Sequence, residues 1–582
     1  MPTPQPNTMR IFLLATVIVM NGSQVASPND QTAPAGYHRT SGVPNQSRSV
    51  VIATGGMVAT SQPLAAQAGL AVLQQGGSAA DAAIAANAVL GVVEPMSCGI
   101  GGDLFAIYWD AKTEKLIGLN ASGRSPFSLT RDLFRQRGRK EIPTNGPLAW
   151  SVPGCVAGWD DLHQKFGTLA LSDVLAPAIK YAQDGFPVSE IIAGYWKGAE
   201  NSLRRWPDSA ATFLVDGRAP HAGEVFRNPN LAKTLRAIAD GGKDAFYRGR
   251  NAETIAAFSE SNGGFFSRRD FTAHTNDWVE PVSANYRGYT VWELPPNGQG
   301  IAALQMLNLL EPYDLNAMGP GSGDYLHLLV EAKKLAFADR AKYYADPAGQ
   351  DLPVAQLISK AYAKRRGQLI DPARAADVVD AGNPRLTAGD TVYVTVVDKD
   401  RNCCSLIQSN YYGFGSQVVP GNVGYVLQIR GALFVLDDQH ANRLEPHKRP
   451  FHTIIPAMVT QDGRPVFCFG VMGGDMQPQG HVQILVNILD YGMNVQQAGD
   501  AARVRHYGSA TPTGRPASGG GTVAVEPNVP AAVREDLEGR GHNVEVARGG
   551  GFGGYQGIWI DWENGTLHGA TEPRKDGVAV GY

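Results

Sequence analysis

The stretch Gly389-Asp390-Thr391-Val392-Tyr393-Val394-Thr395-Val396-Val397-Asp398 constrains this chain more than any other. A small polar pair leads into a threonine, and the threonine opens a run of β-branched and aromatic residues that reads as a strand. If the bond between Asp390 and Thr391 is cut, Thr391 gains a free α-amino group beside its own hydroxyl. One residue then holds a complete nucleophile–base pair. Threonine at the head of a strand is common, so the weight of this reading comes from the segments around it.

The 582 residues are enough for several cores or one large two-part fold. Hydrophobic residues make up 43% and the formal net charge is −3, with Lys and Arg scattered. Disorder and a nucleic-acid partner are therefore not expected. Arg10, the apolar run Ile11–Met20 and the small residues up to Ala26 read as a signal peptide over 1–26. That run is too short to span a bilayer, which needs about 20 residues. Residues 27–49 read as a flexible lead-in, and the protein is expected to be secreted or periplasmic. Cys98, Cys155, Cys403, Cys404 and Cys468 show no framework spacing and read as small buried residues. A vicinal bridge between Cys403 and Cys404 is rejected, because an alternating strand sends them to opposite faces. With no CxxC and no HExxH, no metal is expected.

Ser61 with Pro63 opens one helix, and Ser78 to Asp81 forms a capping box for an Ala-rich helix running to about Val89. Leu104 to Leu119 reads as a hairpin, and about 132–380 as largely helical, with strand material at Gly288 to Leu294. From Thr391 strands dominate: Val392 to Val397, Cys403 to Ser409, Gly424 to Gln428, Pro465 to Phe469 and Gly557 to Asp561. A helix from about His481 to Asp490 interrupts them. Helix-rich layers around strand-rich segments predict α/β sheets sandwiched between helices.

Gly473-Gly474 follows an apolar strand and precedes a helix, where backbone N–H groups can point at a developing negative charge. Alone, such a pair is a plain turn. Asp475 behind it reads as the cap of the following helix. Gly549 to Gly554 fits GxGxxG, but it leads into a strand, so a nucleotide site is not expected.

Gly56 to Thr60, Gly76 to Ala83, Val93-Glu94-Pro95 and Gly99 to Asp103 resemble the N-terminal signature of the γ-glutamyltransferase (glutathione hydrolase) family. Lys448-Arg449-Pro450, Gly473-Gly474, Asp490 to Asn494 and Gly577 to Tyr582 extend the resemblance over essentially residues 50–582. It implies a four-layer αββα N-terminal-nucleophile hydrolase fold made as one chain. Self-cleavage between Asp390 and Thr391 would give a large subunit ending at 390 and a small catalytic subunit of 391–582, held together as a heterodimer. By the same resemblance Thr391 is the nucleophile and its α-amine the base, titrating near about 7.7–8.0. Gly473 and Gly474 hold the oxyanion, and water or an amine accepts the acyl group without a cofactor.

The chain departs from the family where the γ-glutamyl group is gripped. Thr391-Val392-Tyr393 stands where Thr-Thr-His is usual, and the carboxylate-binding arginine falls at Ser122, with Arg124 nearest. An asparagine falls at Tyr411, beside Asn410, and a serine pair becomes His452-Thr453. A glutamine and an aspartate that recognise the α-amino end fall at Arg430 and Leu433. Candidate substrate contacts are therefore Arg124, Ser409, Asn410, Arg430, His452 and Thr453. An internal salt bridge would explain Arg430 or Arg124 equally well, and His452 reads first as a satisfied core histidine. Arg430 and Leu433 together favour a carboxyl-bearing acyl group over an ammonium-bearing one, as in the cephalosporin-acylase-like branch. The segment Asp437 to His447 is short where many relatives carry a lid, which suggests a more open pocket. The resemblance makes small γ-glutamyl amides such as glutathione the first expected substrates, with another carboxyl-bearing acyl amide as the alternative and an unprocessed, non-catalytic binding homologue as the third reading.

Overall fold

Alternation along the strand Asp390–Val397 sends its side chains into two different cores. Val392, Val394 and Val396 join one buried cluster with the helices Pro63–Gln74 and Ala79–Val93, while Tyr393 and Val397 join another. A strand buried on both faces needs a layer on each side. The computed structural model describes residues 1, 46–377, 379–380, 390–547 and 551–582. The candidate signal peptide, most of the lead-in, Gly389, the Asp390 side chain and Gly549-Gly550 lie outside the described residues.

Two seven-stranded antiparallel sheets form the centre. One runs, in spatial order, Val51–Ala53 (β1), Thr566–Thr571 (β18), Gly554–Asp561 (β17), Arg464–Met472 (β13), Ala457–Gln461 (β12), Tyr289–Glu293 (β9) and Val282–Tyr286 (β8). The other runs Val578–Gly581 (β19), Met57–Thr60 (β2), Asp390–Val397 (β10), Cys403–Tyr411 (β11), Asp103–Asp110 (β3), Lys115–Ala121 (β4) and Asp277–Val279 (β7). Outside them lie a short ladder, Phe186–Pro187 (β5) with Val225–Phe226 (β6), and a small sheet of Val504–Tyr507 (β14), Thr522–Val525 (β15) and Val544–Val546 (β16).

Tyr393, Phe105, Ile407, Met458, Met472 and Ile558 fill the space between the large sheets. The helices Pro63–Gln74 and Ala79–Val93 cover one outer face, and Gly300–Leu310 and Met476–Leu489 the other. The order of layers is αββα, as expected. Strands from 50–390 and from 391–582 interleave in both sheets, so the two parts are not separate domains.

The capping box at Ser78 and Asp81 is present, with its helix continuing to Val93. Gly424 to Gln428 is not a strand. Leu427 exchanges backbone hydrogen bonds with Val418 and Ser416, and Gln428 N–H donates to Gly101 O, so the segment is a strap across the helical layer's edge. Strands β2, β5, β6, β7, β8, β12, β14, β15, β16, β18 and β19 escaped the sequence reading, being short. All five cysteines are buried, with Cys403 and Cys404 on opposite faces of β11.

Candidate active site

Thr391 sits at the start of β10, in the middle of its sheet and 3% exposed. Asp390 pairs with Tyr411 but Val392 pairs with Gln408, so the ladder slips by one residue at Thr391. Bulges of this kind re-aim a side chain. On the facing strand Tyr411 has φ +83°, and its N–H donates to Ser409 Oγ at 2.8 Å. Asn410 is fixed by donating to Cys98 O at 2.9 Å. Thus Ser409 and Asn410 lie on β11 beside the scissile position.

Contacts across the sandwich bring β13 to the same point. Thr395 Oγ1 donates to Cys468 O at 3.2 Å, and the Tyr393 ring leaves room only for a glycine at 470. The contacts 395–468 and 393–470 run along β13 toward its end at Met472, which Gly473-Gly474 follow. Gly473 has φ +120° and Gly474 φ +59°. A Cβ on Gly473 would lie 3.0 Å from Gly553 Cα, so glycine is required there by conformation and by space. Their carbonyls accept from Met476 and Gln477 N–H at 3.0 and 3.1 Å, whereas neither glycine N–H donates to another described residue. Two unspent N–H groups in consecutive left-handed residues make an anion-binding concavity.

A buried network holds this turn. Gln299 donates through Nε2 to Gly474 O at 2.9 Å and to Thr453 O at 2.6 Å. Arg340, fully buried in the helix Gly323–Tyr343, donates to Gln299 Oε1 at 2.5 Å and to Asp475 at 2.6 and 3.3 Å. Asp475 occupies the N-cap position of Met476–Leu489, but its side chain makes no cap bond. The expectation of a capping role is corrected: Arg340 takes that carboxylate. Gln299 and Arg340 carry no signal in the sequence that would have found them.

Arg430 opens a short 3-10 turn, Arg430–Leu433, and is wholly buried. Its Nη1 donates to Thr453 Oγ1 at 2.7 Å and its guanidinium lies 4.8 Å from the centre of the Tyr411 ring. Among the described residues, Nε and Nη2 have no partner and no carboxylate forms an ion pair with Arg430. Among the described residues Arg430 therefore forms no internal salt bridge. Burial pulls its pKa down to about 10, opposed by the field of Asp103, so it stays cationic at neutral pH. Asp103 itself is spoken for: it accepts from His452 Nε2 at 2.8 Å, Gln428 Nε2 at 2.7 Å and Gly123 N–H at 2.9 Å. His452 is held neutral, its pKa pushed to about 4 by burial and Arg430, and its Nδ1 has no partner among the described residues. Leu433 is buried and apolar. Arg124 turns elsewhere, donating to Thr275 O at 3.0 Å and facing Asp277 at 3.7 Å. A cavity of about 440 Å³ opens beside Tyr411 and Tyr412, walled by Phe434 and Val435 and rimmed by Arg139, Lys140 and Arg515.

An αββα sandwich with a threonine heading a central strand of one sheet, and paired left-handed glycines at the end of β13 in the other, defines the N-terminal-nucleophile hydrolase class. The chain belongs to the γ-glutamyltranspeptidase family, whose model, Gamma-glutamyltranspeptidase, matches residues 65–582. It is 41% identical over 540 residues to the glutathione hydrolase-like YwrD proenzyme of Bacillus subtilis (strain 168), covering 91% of this chain and 99% of that one. It is 36% identical over 544 residues to the oxamate amidohydrolase proenzyme of Klebsiella pneumoniae, at 91% and 99% coverage. Among solved structures, cephalosporin acylase from Bacillus halodurans superposes with a TM-score of 0.85 at 43% identity, covering 94% of this chain and 99% of that one. The protein is accordingly an enzyme of the amidohydrolase and acyltransferase type. Among the described residues, no helix is long and apolar enough to cross a membrane.

Proposed function

We propose that the chain cleaves itself between Asp390 and Thr391 and then hydrolyses, or transfers, a carboxyl-bearing acyl group from a small amide. The observation that carries the substrate class is Arg430, a buried guanidinium with two N–H edges unpartnered among the described residues. A carboxylate fills such a fork with two charge-assisted hydrogen bonds. The position that would serve an α-ammonium is Leu433, so γ-glutamyl groups are the poorer fit. Relatives named for glutathione, for oxamate and for a cephalosporin are in keeping with a clamp rebuilt between branches.

In this reading the Thr391 hydroxyl attacks the amide carbonyl while its α-amine takes the proton. The oxyanion forms against the Gly473 and Gly474 N–H groups, the amine leaves with a proton, and an ester to Thr391 remains. Water or an amine then releases the acyl group. Residues 1–26 would direct export. The test is intact mass and N-terminal sequencing of the wild type and Thr391→Ala, followed by parallel assays with glutaryl- and γ-glutamyl-p-nitroanilide. Two fragments, one starting at Thr391, in the wild type only, with glutaryl turnover ahead, are expected. A wild type that stays whole removes the free amine and the mechanism with it; turnover of the γ-glutamyl amide alone refutes the substrate class.

A further inference from the structure

Far from Thr391 in sequence, three buried ligating side chains converge: His327 and Glu331, one turn apart on the helix Gly323–Tyr343, and His542, 215 residues beyond His327. One nitrogen or oxygen from each lies within 4.8 Å of the others. We propose that His327 Nδ1, His542 Nε2 and a Glu331 oxygen bind a divalent transition-metal ion, of which Zn²⁺ or Co²⁺ best suits two imidazoles and a carboxylate.

The orientation of the first histidine supports this. His327 Nε2 lies 2.8 Å from Asp371 O, an atom that can only accept, so Nε2 carries the hydrogen. Its Nδ1 lone pair is thereby aimed at His542 Nε2, 2.8 Å away. An imidazole whose outer nitrogen donates to a carbonyl is the usual posture of a metal ligand. The two nitrogens now share one hydrogen bond. A metal ion replaces it once His542 moves its proton to Nδ1, with the nitrogens parting to about 3.3 Å for tetrahedral bonds of about 2.0–2.1 Å. Glu331 has an oxygen to give: Oε1 takes Lys334 at 2.7 Å, while Oε2 receives only Ala376 N–H at 3.3 Å. Water would complete the shell.

Lys334 is the feature that weighs against a cation here, because its ammonium stands beside the same carboxylate. It has a second acceptor, Ala376 O at 2.8 Å, so it can keep its place when Glu331 turns. Its charge nevertheless repels a dication, which makes the proposal separable from a plain hydrogen-bonded histidine pair. The ligands also straddle the scission proposed above, His542 after it and the other two before it, so the ion would tie the halves together; this last point alone rests on that scission.

The experiment titrates chelator-stripped enzyme with Co²⁺, read by its visible d–d bands, and with Zn²⁺ by calorimetry. One site per chain is expected. His542→Ala should weaken it at least about tenfold, and Lys334→Gln should tighten it at least about tenfold by removing the like charge. Circular dichroism confirms that each variant is folded, and His327→Gln repeats the ligand test on the helix. No saturable binding by the wild type, affinity unmoved in folded His542→Ala, or no tightening in Lys334→Gln overturns the proposal.

Discussion

A guanidinium carried out of water without a counter-charge is costly by itself, and its surroundings at Arg430 recover only part of that cost. One neutral hydrogen bond to Thr453 and the face of Tyr411 are weak substitutes for hydration. A residue retained for packing would not be an arginine with Nε and Nη2 idle among the described residues. This separates two outcomes for Arg430→Met. If the charge serves a substrate carboxylate, kcat/KM for glutaryl-p-nitroanilide falls by about 10- to 150-fold, the worth of a hydrogen bond to a charged group at about 1.5–3 kcal/mol. The melting temperature meanwhile holds or rises, because an uncompensated buried charge has been removed. Arg430→Lys should fall between, since an ammonium cannot present the planar fork. A variant that melts several degrees lower with kinetics unchanged would make Arg430 a structural residue.

At the scale of elements, the turn after β13 depends on groups remote in sequence. Gly473 and Gly474 keep their N–H groups unspent because Gln299 and the start of the next helix hold their carbonyls, and Arg340 holds Gln299. Arg340→Met removes one partner of a buried ion pair and leaves Asp475 facing Gln299 without its cation. Thermal or urea unfolding should register a loss of about 3–5 kcal/mol, and kcat should drop more than KM changes, since the oxyanion turn loosens. Unaltered kcat in a folded variant would show that the turn holds itself. Much of this architecture was legible in the chain. The β-branched and aromatic run after Thr391 gave the strand β10, and Ser78 with Asp81 gave a helix start to the residue. What stayed hidden is non-local. The helix Gly323–Tyr343 is buried nearly all round, and its charged residues are internal partners whose mates lie far away in the chain. Gly424 to Gln428 has a strand's composition but no neighbouring strand to pair with, a fact only the fold supplies. The bulge at Thr391 was invisible for the same reason, because register belongs to two strands and not to one.

The whole molecule carries two acid-sensitive devices that act in different pH windows. The fold buries neutral histidines: burial holds His274 and His481 down to about 3 and His452 to about 4. Geometry demands neutrality at His481, whose Nε2 accepts the Val471 N–H of β13 at 3.1 Å while Nδ1 faces Glu293. In the unfolded chain these rings take protons near about 6.5. Their folded pKa values are lowered, so from about pH 6.5 down to about 3–4 the unfolded state binds more protons and stability falls with pH. Each ring contributes at most about 1.4 kcal/mol per pH unit, and the loss levels off below the folded values. The proposed base, the Thr391 α-amine, is a kind of group whose ordinary value is higher, about 7.7–8.0. Activity should therefore decline first, between about pH 8 and about pH 6.5, before these histidines begin to take protons. Enzyme held near pH 6.5 should regain full rate at once when returned to about pH 8, whereas enzyme held near pH 4 should lose melting temperature and recover incompletely. His452→Asn should flatten the stability slope below about pH 6.5 by roughly one ring's share. If the rate instead stays level between about pH 8 and about pH 6.5, the base is not an amine titrating in that window.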